Sequence, residues 1–126
     1  MKIFLDNMLP PALADVLRAL EYDVVHLREH FAPNAKDEDW LPVVGKRGWA
    51  IVTVDHRIAK SRATQELLKA ANTVAVFLFP SFQALNRDKQ VAWIVEHFSV
   101  IRSAVESAKR GTNLTARQNG KLEKLQ

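Results

Sequence analysis

The sequence predicts an α/β domain, a parallel sheet of about four strands (order 2-1-3-4) covered by helices on both faces. Three observations carry that expectation. The runs Ile3-Phe4-Leu5 and Ala50-Ile51-Val52-Thr53-Val54 are apolar or β-branched with no polar alternation, as strands buried on both faces are. Each is followed at once by an aspartate, Asp6 and Asp55. Stretches of helical period separate the strand candidates, and alternating strands and helices make a parallel sheet.

In chain order, Lys2 to Leu5 is the first strand, and Asn7 to Pro11 is a turn feeding a helix, since proline is tolerated in a first helical turn. Leu13, Val16, Leu17 and Leu20 recur at helical spacing and give that helix an apolar face. Tyr22 to Leu27 reads as the second strand and Arg28 to Lys36 as a loop. A second helix starts at Asp37-Glu38-Asp39, runs to about Lys46 and stops at Gly48. With Asp39 as its cap, Pro42 loses no hydrogen bond; with Asp37 as cap, one is lost.

The third strand is Ala50 to Val54, followed by a basic turn from Ile58 to Arg62 and a short helix from Ala63 to Ala71. Val74 to Phe79 is the fourth strand, ended by Pro80. Asn86 can cap a long helix with Val91, Ile94, Val95, Phe98, Ile101 and Val105 on one stripe. Right-handed crossovers with a reversal beside the first strand set the strand order and put Asp6 and Asp55 on adjacent strands at the switch point.

The chain of 126 residues is long enough for one domain with a core of its own, and it has no cysteine for disulfides or thiolate metal sites. Its formal charge of +4 is unevenly placed: from Lys109 onward five basic residues face one acid, Glu123, while residues 1–108 hold 13 of each sign. Residues 1–108 are therefore read as the folded domain and 109–126 as a basic, disordered tail, polar and without a sustained period. The amino terminus meets an acid and two prolines before a signal-peptide core develops, and no apolar run approaches the ~20 residues of a membrane span. A soluble cytoplasmic protein with no membrane partner is expected.

Asp6, Asp55 and one or more of Asp37, Glu38 and Asp39 can converge at the carboxyl edge of such a sheet, where open α/β folds bind ligands. Hard ions such as Mg²⁺ or Mn²⁺ take oxygen ligands, and carboxylates held together repel one another unless a cation neutralises them. A metal so held activates water and stabilises the charge that develops on a phosphodiester, which is the nuclease reading. Arg57, Lys60 and Arg62 follow Asp55 closely and suit RNA phosphates, while a solvated basic turn is the plain alternative. His26 and His30 do not share a helical face, so no zinc site is read there, and His56 either assists catalysis or, the preferred reading, faces solvent. Trp40, Trp49 and Trp93 read as core or interface aromatics.

Four segments in register strengthen that reading: Phe4 to Pro10, Tyr22 to Leu27, Asp37 to Trp40, and Gly48 to Arg57. In order and spacing they resemble the PIN-like domain proteins, relatives of the VapC toxins of toxin–antitoxin operons, over about Lys2 to Phe98. The resemblance implies a metal-dependent ribonuclease, a hydrolase whose activity a cognate antitoxin blocks. It places the family's acids on Asp6, on Asp37 (with Glu38 or Asp39 as alternates) and on Asp55, with Thr53 as the threonine of its T-x-D motif at the substrate site. The implied cofactor is Mg²⁺ or Mn²⁺, and the implied partners are RNA and an antitoxin, with a homodimer as a further assembly.

One departure stands out. PIN nucleases usually bring a fourth acid soon after the third, and here Arg57, Lys60 and Arg62 fill that stretch, with Glu66 the next acid. That departure keeps a second reading open, a PIN-like body that acts through partners without catalysis. A receiver-like signalling domain also carries acids after its first and third strands, but it needs an acidic pair after the first strand and a lysine after a fifth, where this chain has Asp6-Asn7 and no fifth strand is expected.

Overall fold

The computed structural model describes residues 1–125; Gln126, the last residue of the expected tail, lies outside them. Six strands form one sheet in the order β2-β1-β3-β4-β5-β6. The strands are β1 (Ile3–Leu5), β2 (Val24–His26), β3 (Ala50–Thr53), β4 (Ala75–Leu78), β5 (Asn113–Ala116) and β6 (Leu122–Lys124). The first five run parallel and β6 is antiparallel to β5. The order 2-1-3-4 stands as expected, and the sheet continues past it by two strands.

Side-chain alternation along the strands divides the core in two. Ile3, Leu5, Val24, Val52, Val76 and Leu78 face helix α1 (Ala12–Ala19) and the long helix α5 (Arg87–Ser107). Phe4, Val25, Ile51, Ala75 and Phe77 face α2 (Asp37–Arg47) and α4 (Arg62–Ala71). Ile94, Phe98, Ile101 and Val105 of α5 are fully buried, so its stripe lies on the sheet. On the other face Trp40 stacks on Phe4 with ring centroids 5.1 Å apart. The helices α2 and α4 touch through Gly45, where an added Cβ would sit 2.6 Å from the Ala71 backbone, so their separation is set by the missing side chain.

Three local expectations are corrected. The segment read as a basic turn after Asp55 holds a one-turn helix, α3 (Arg57–Lys60), because Ile58 is buried against the sheet and pulls the turn inward. Helix α2 is capped by Lys36, one residue before Asp37, so Pro42 is interior and one helical bond is lost on its exposed side. The largest correction is the tail. Instead of being disordered, residues 113–116 and 122–124 form β5 and β6, and the folded domain does not end at residue 108.

The physical reason is that the tail has few apolar groups and uses nearly all of them. Leu114 and Ala116 alternate inward from β5 and are buried in the α5-side core. The reversal after β5 is made by Asn119-Gly120, where Gly120 adopts φ 90° and Asn119 Oδ1 accepts from the Lys121 backbone N–H at 3.0 Å. The Trp93 indole N–H of α5 donates to the Gln118 carbonyl at 2.9 Å, tying the turn to the body. The tail's one acid, Glu123, pairs with two of its five basic residues, Arg117 at 3.4 Å and Lys121 at 3.6 Å.

Candidate functional site

The sheet brings Asp6 and Asp55 to adjacent strands at its switch point. Phe4 pairs with Ile51 and Leu5 with Val52, so the continued register sets Asp6 opposite Thr53. The Asp6 backbone N–H extends the pairing to the Val52 carbonyl at 3.1 Å. By alternation, Asp6 lies on the same side as Phe4 and Thr53 on the same side as Ile51, which is the face covered by α2. The amino terminus of α2 delivers Asp37 to that same corner.

Thr53 is the hinge of the site. Its hydroxyl donates to Asp6 Oδ2 at 2.6 Å and accepts from the Asp55 backbone N–H at 3.0 Å. It is fully buried, so it cannot touch a substrate; the place expected for it at the substrate is corrected to one of positioning the two acids. Asp6 Oδ1 accepts from the Asn7 backbone N–H at 2.6 Å. Asp6 is only 6 % exposed, and this burial raises its pKa from 3.8 against the two hydrogen bonds, with the nearby Asp55 charge pushing the same way.

Asp55, on the neighbouring strand, is shifted the other way. The Arg57 guanidinium grips it, Nε to Oδ1 at 2.9 Å and Nη2 to Oδ2 at 3.0 Å, and the Arg57 backbone N–H adds a third bond at 3.0 Å. The guanidinium is the main cause of a carboxyl pKa below the ordinary value. Two buried acids, side by side, thus differ in that only one has a counter-ion in contact.

The three acids at the start of α2 separate by role. Asp39 Oδ2 accepts from the Lys36 backbone N–H at 2.9 Å and serves the helix cap. Glu38 is exposed. Asp37 is half-buried, and its pKa is raised by burial first and then by the charges of Asp55 and Asp6. Asp37 is therefore the member of the cluster that feels the other two acids.

Beside Asp55 a pocket of about 480 Å³ opens, lined by Met8, Asp55, His56, Arg57, Lys60 and Gln83 among others. Lys60 is exposed at its wall, and Arg62 is exposed at the start of α4. Glu66, the next acid along the chain, is exposed on α4. His56 is not a solvent-facing side chain as expected: its Nε2 meets the Leu78 carbonyl at 2.6 Å and its ring packs on Phe77, which fixes it between β3 and β4. No pattern in the sequence signals that contact, since it depends on β4 pairing beside β3 and bringing the Leu78 carbonyl to the ring. His26 is fully buried with both ring nitrogens engaged, Nε2 on the Leu9 carbonyl at 2.8 Å and Nδ1 accepting from the Arg28 N–H at 3.1 Å.

Among the described residues, no three acidic or histidine side chains stand close enough to form a metal-holding group by themselves. Asp6, Asp37 and Asp55 are thus electrostatic neighbours but not an assembled three-carboxylate chelate. The donor set still fits a hydrated hard cation, because Mg²⁺ commonly takes one or two carboxylates and fills its remaining positions with water. Asp6 is the particular feature that suits one, a buried acid whose ionisation neighbouring negative charge opposes.

A helix-covered parallel sheet with acids gathered at its switch point defines a class, the α/β domains that work at the carboxyl edge of the sheet. A PIN-like domain model matches residues 1–79, more than half of the chain, and the chain belongs to the PIN-like domain family. PIN-like domains are generally nucleases. No curated protein and no solved structure matches the chain significantly. No helix among the described residues is long and apolar enough to cross a membrane.

Proposed function

We propose that the chain is a divalent-metal-dependent endoribonuclease, with Asp6 and Asp55 holding a hydrated Mg²⁺ or Mn²⁺ and Asp37 bonding to its waters. The single observation that supports this most is the Thr53 hydroxyl bridging Asp6 and the Asp55 backbone, which fixes two acids at one spot at the cost of burying charge. When bound, such an ion supplies an activated water and a counter-charge for the phosphodiester. The chain's own residues do the rest. Thr53 orients Asp6, the Asp55 backbone stays in register through the same hydroxyl, and Lys60 and Arg62 offer positive charge to the phosphates of RNA beside the pocket. A toxin role, with an antitoxin as partner, rests on the sequence resemblance.

The test is cleavage of a single-stranded RNA with Mg²⁺ or Mn²⁺. Asp6→Asn and Asp55→Asn should each lower the rate by about a hundredfold or more, since each loses a charged ligand, with circular dichroism unchanged. Full activity in excess chelator, or wild-type rates in both variants, would exclude the proposal. The second reading, a PIN-like module that binds RNA without cutting it, is favoured by the Arg57 grip on Asp55 and the missing fourth acid. RNA binding with no cleavage in either metal would establish that reading.

A further inference from the structure

Arg57 enters the acidic cluster that the sequence has it flank. Among the described residues it is the one cation ion-paired with any of Asp6, Asp37 and Asp55. Its pairing with Asp55 is bidentate, although its side chain as a whole is 84 % exposed. Both Asp55 oxygens are therefore committed to guanidinium N–H groups. Oδ1 spends both its lone pairs on Arg57 N–H groups and Oδ2 one of its two, so a divalent cation can reach Asp55 only beside the guanidinium, and the two cations repel one another at contact distance.

The geometry points to Arg57 as a built-in competitor for the divalent cation, neutralising Asp55 in its absence and swinging off the carboxylate when the ion binds. The inference rests on the metal-dependent reading above and assigns that site its regulation. The Asp55 side chain need not move in the exchange. The Arg57 backbone N–H, fixed by α3, still holds Asp55 Oδ1 at 3.0 Å after the guanidinium has left. Nothing packs over the guanidinium, so its release breaks two hydrogen bonds and opens no cavity. Once free, it remains two residues from Asp55 at the mouth of the pocket that Lys60 also lines. There its planar fork suits a phosphate better than an ammonium would. Arg57 is thus a positioning residue that sets how much cation the site needs.

The experiment uses the full chain without RNA, so that it reads binding and not activity. Free Mn²⁺ is followed by electron paramagnetic resonance during titration of wild type, Arg57→Gln and Arg57→Lys, and each is melted with and without Mn²⁺. Arg57→Gln should bind Mn²⁺ roughly three- to tenfold more tightly than wild type, because a like charge within contact of the ion is gone. It should also show the larger Mn²⁺-induced rise in Tm, since tighter binding to the native state stabilises it more. Arg57→Lys keeps the charge but loses the fork, so it should fall between the two; if the glutamine variant does not fold, the lysine variant decides. Unchanged or weaker Mn²⁺ affinity in the variants, with wild type still binding, overturns the competitor role alone. Absence of Mn²⁺ binding in wild type and variants alike overturns the metal reading with it.

Discussion

The carboxyl edge of β1 and β3 and the C-terminal hairpin of β5 and β6 belong to one sheet, and they spend burial in opposite ways. At the edge, two carboxylates are nearly excluded from water, and both desolvation and its neighbour's charge oppose the ionisation of Asp6. At the hairpin, the buried groups are Leu114 and Ala116, and the charges stay on the surface, where Glu123 meets Arg117 and Lys121. The edge concentrates chemistry where stability is given up. The hairpin adds core and sheet pairing and carries none of the candidate site residues. The comparison teaches that a strained site in a small domain is offset by elements remote from it.

The largest effect should come from breaking the hairpin. Removing residues 112–126 deletes two strands, uncovers the edge of β4, and leaves the Trp93 indole N–H without its acceptor. Several kcal/mol should be lost from a total of about 5–15 kcal/mol typical of a domain. The truncated chain should melt non-cooperatively or at a much lower temperature, and an unchanged thermal transition would show that the hairpin is only an attachment.

Thr53→Val sharpens the other side of the comparison. It removes the donor to Asp6 Oδ2 and the acceptor for the Asp55 N–H, two buried bonds. About 1–3 kcal/mol of stability should be lost by denaturant unfolding, because buried polar groups are left unpaired. RNA cleavage should fall by more than that destabilisation explains, measured where the variant is still folded. Loss of stability with full activity would mean that Thr53 supports the strand and not the acids.

The smallest effect is a pH dependence. A carboxyl whose folded pKa lies above 3.8 binds more protons folded than unfolded, so Asp6 makes the chain less stable as pH rises from that value through its own raised pKa. Asp55, with a lowered pKa, acts in the opposite direction: it contributes stability above 3.8 that is lost as pH falls through its folded pKa. Comparing wild type with Asp6→Asn, without metal, isolates Asp6. The variant should have the higher Tm at neutral pH and lose that advantage in acid, toward 3.8 and below. A Tm difference independent of pH would show that Asp6 ionisation is not the source of the strain.

The same contrast governs what could be read from sequence. The four central strands are legible because both faces of each are buried, which leaves unbroken apolar runs, and because Asp6 and Asp55 punctuate two of them. The strand order followed from handedness and reversal alone. Strand β5 has only Leu114 and Ala116 as apolar inward residues, and the basic residues around it look like a solvated tail. The signal that could have found it is Asn119-Gly120, a hairpin turn between two short alternating segments. At the site, the choice among Asp37, Glu38 and Asp39 was open because all three suit a helix start; only the cap position, one residue earlier, turns Asp39 to the backbone and Asp37 to the acids. The Arg57 grip on Asp55 was hidden because a turn was expected where Ile58 draws in a helix.

The central claim is that Asp6 and Asp55, held by one hydroxyl, form a cation site. Mn²⁺ binding by isothermal titration to wild type, Asp6→Asn and Asp55→Asn tests it most directly. Wild type should bind one Mn²⁺ saturably, since two carboxylates and water complete a single coordination shell. Each variant should bind at least tenfold more weakly while melting cooperatively. Wild-type affinity in Asp6→Asn would contradict the account, because it would place the ion somewhere other than the edge shared by β1 and β3.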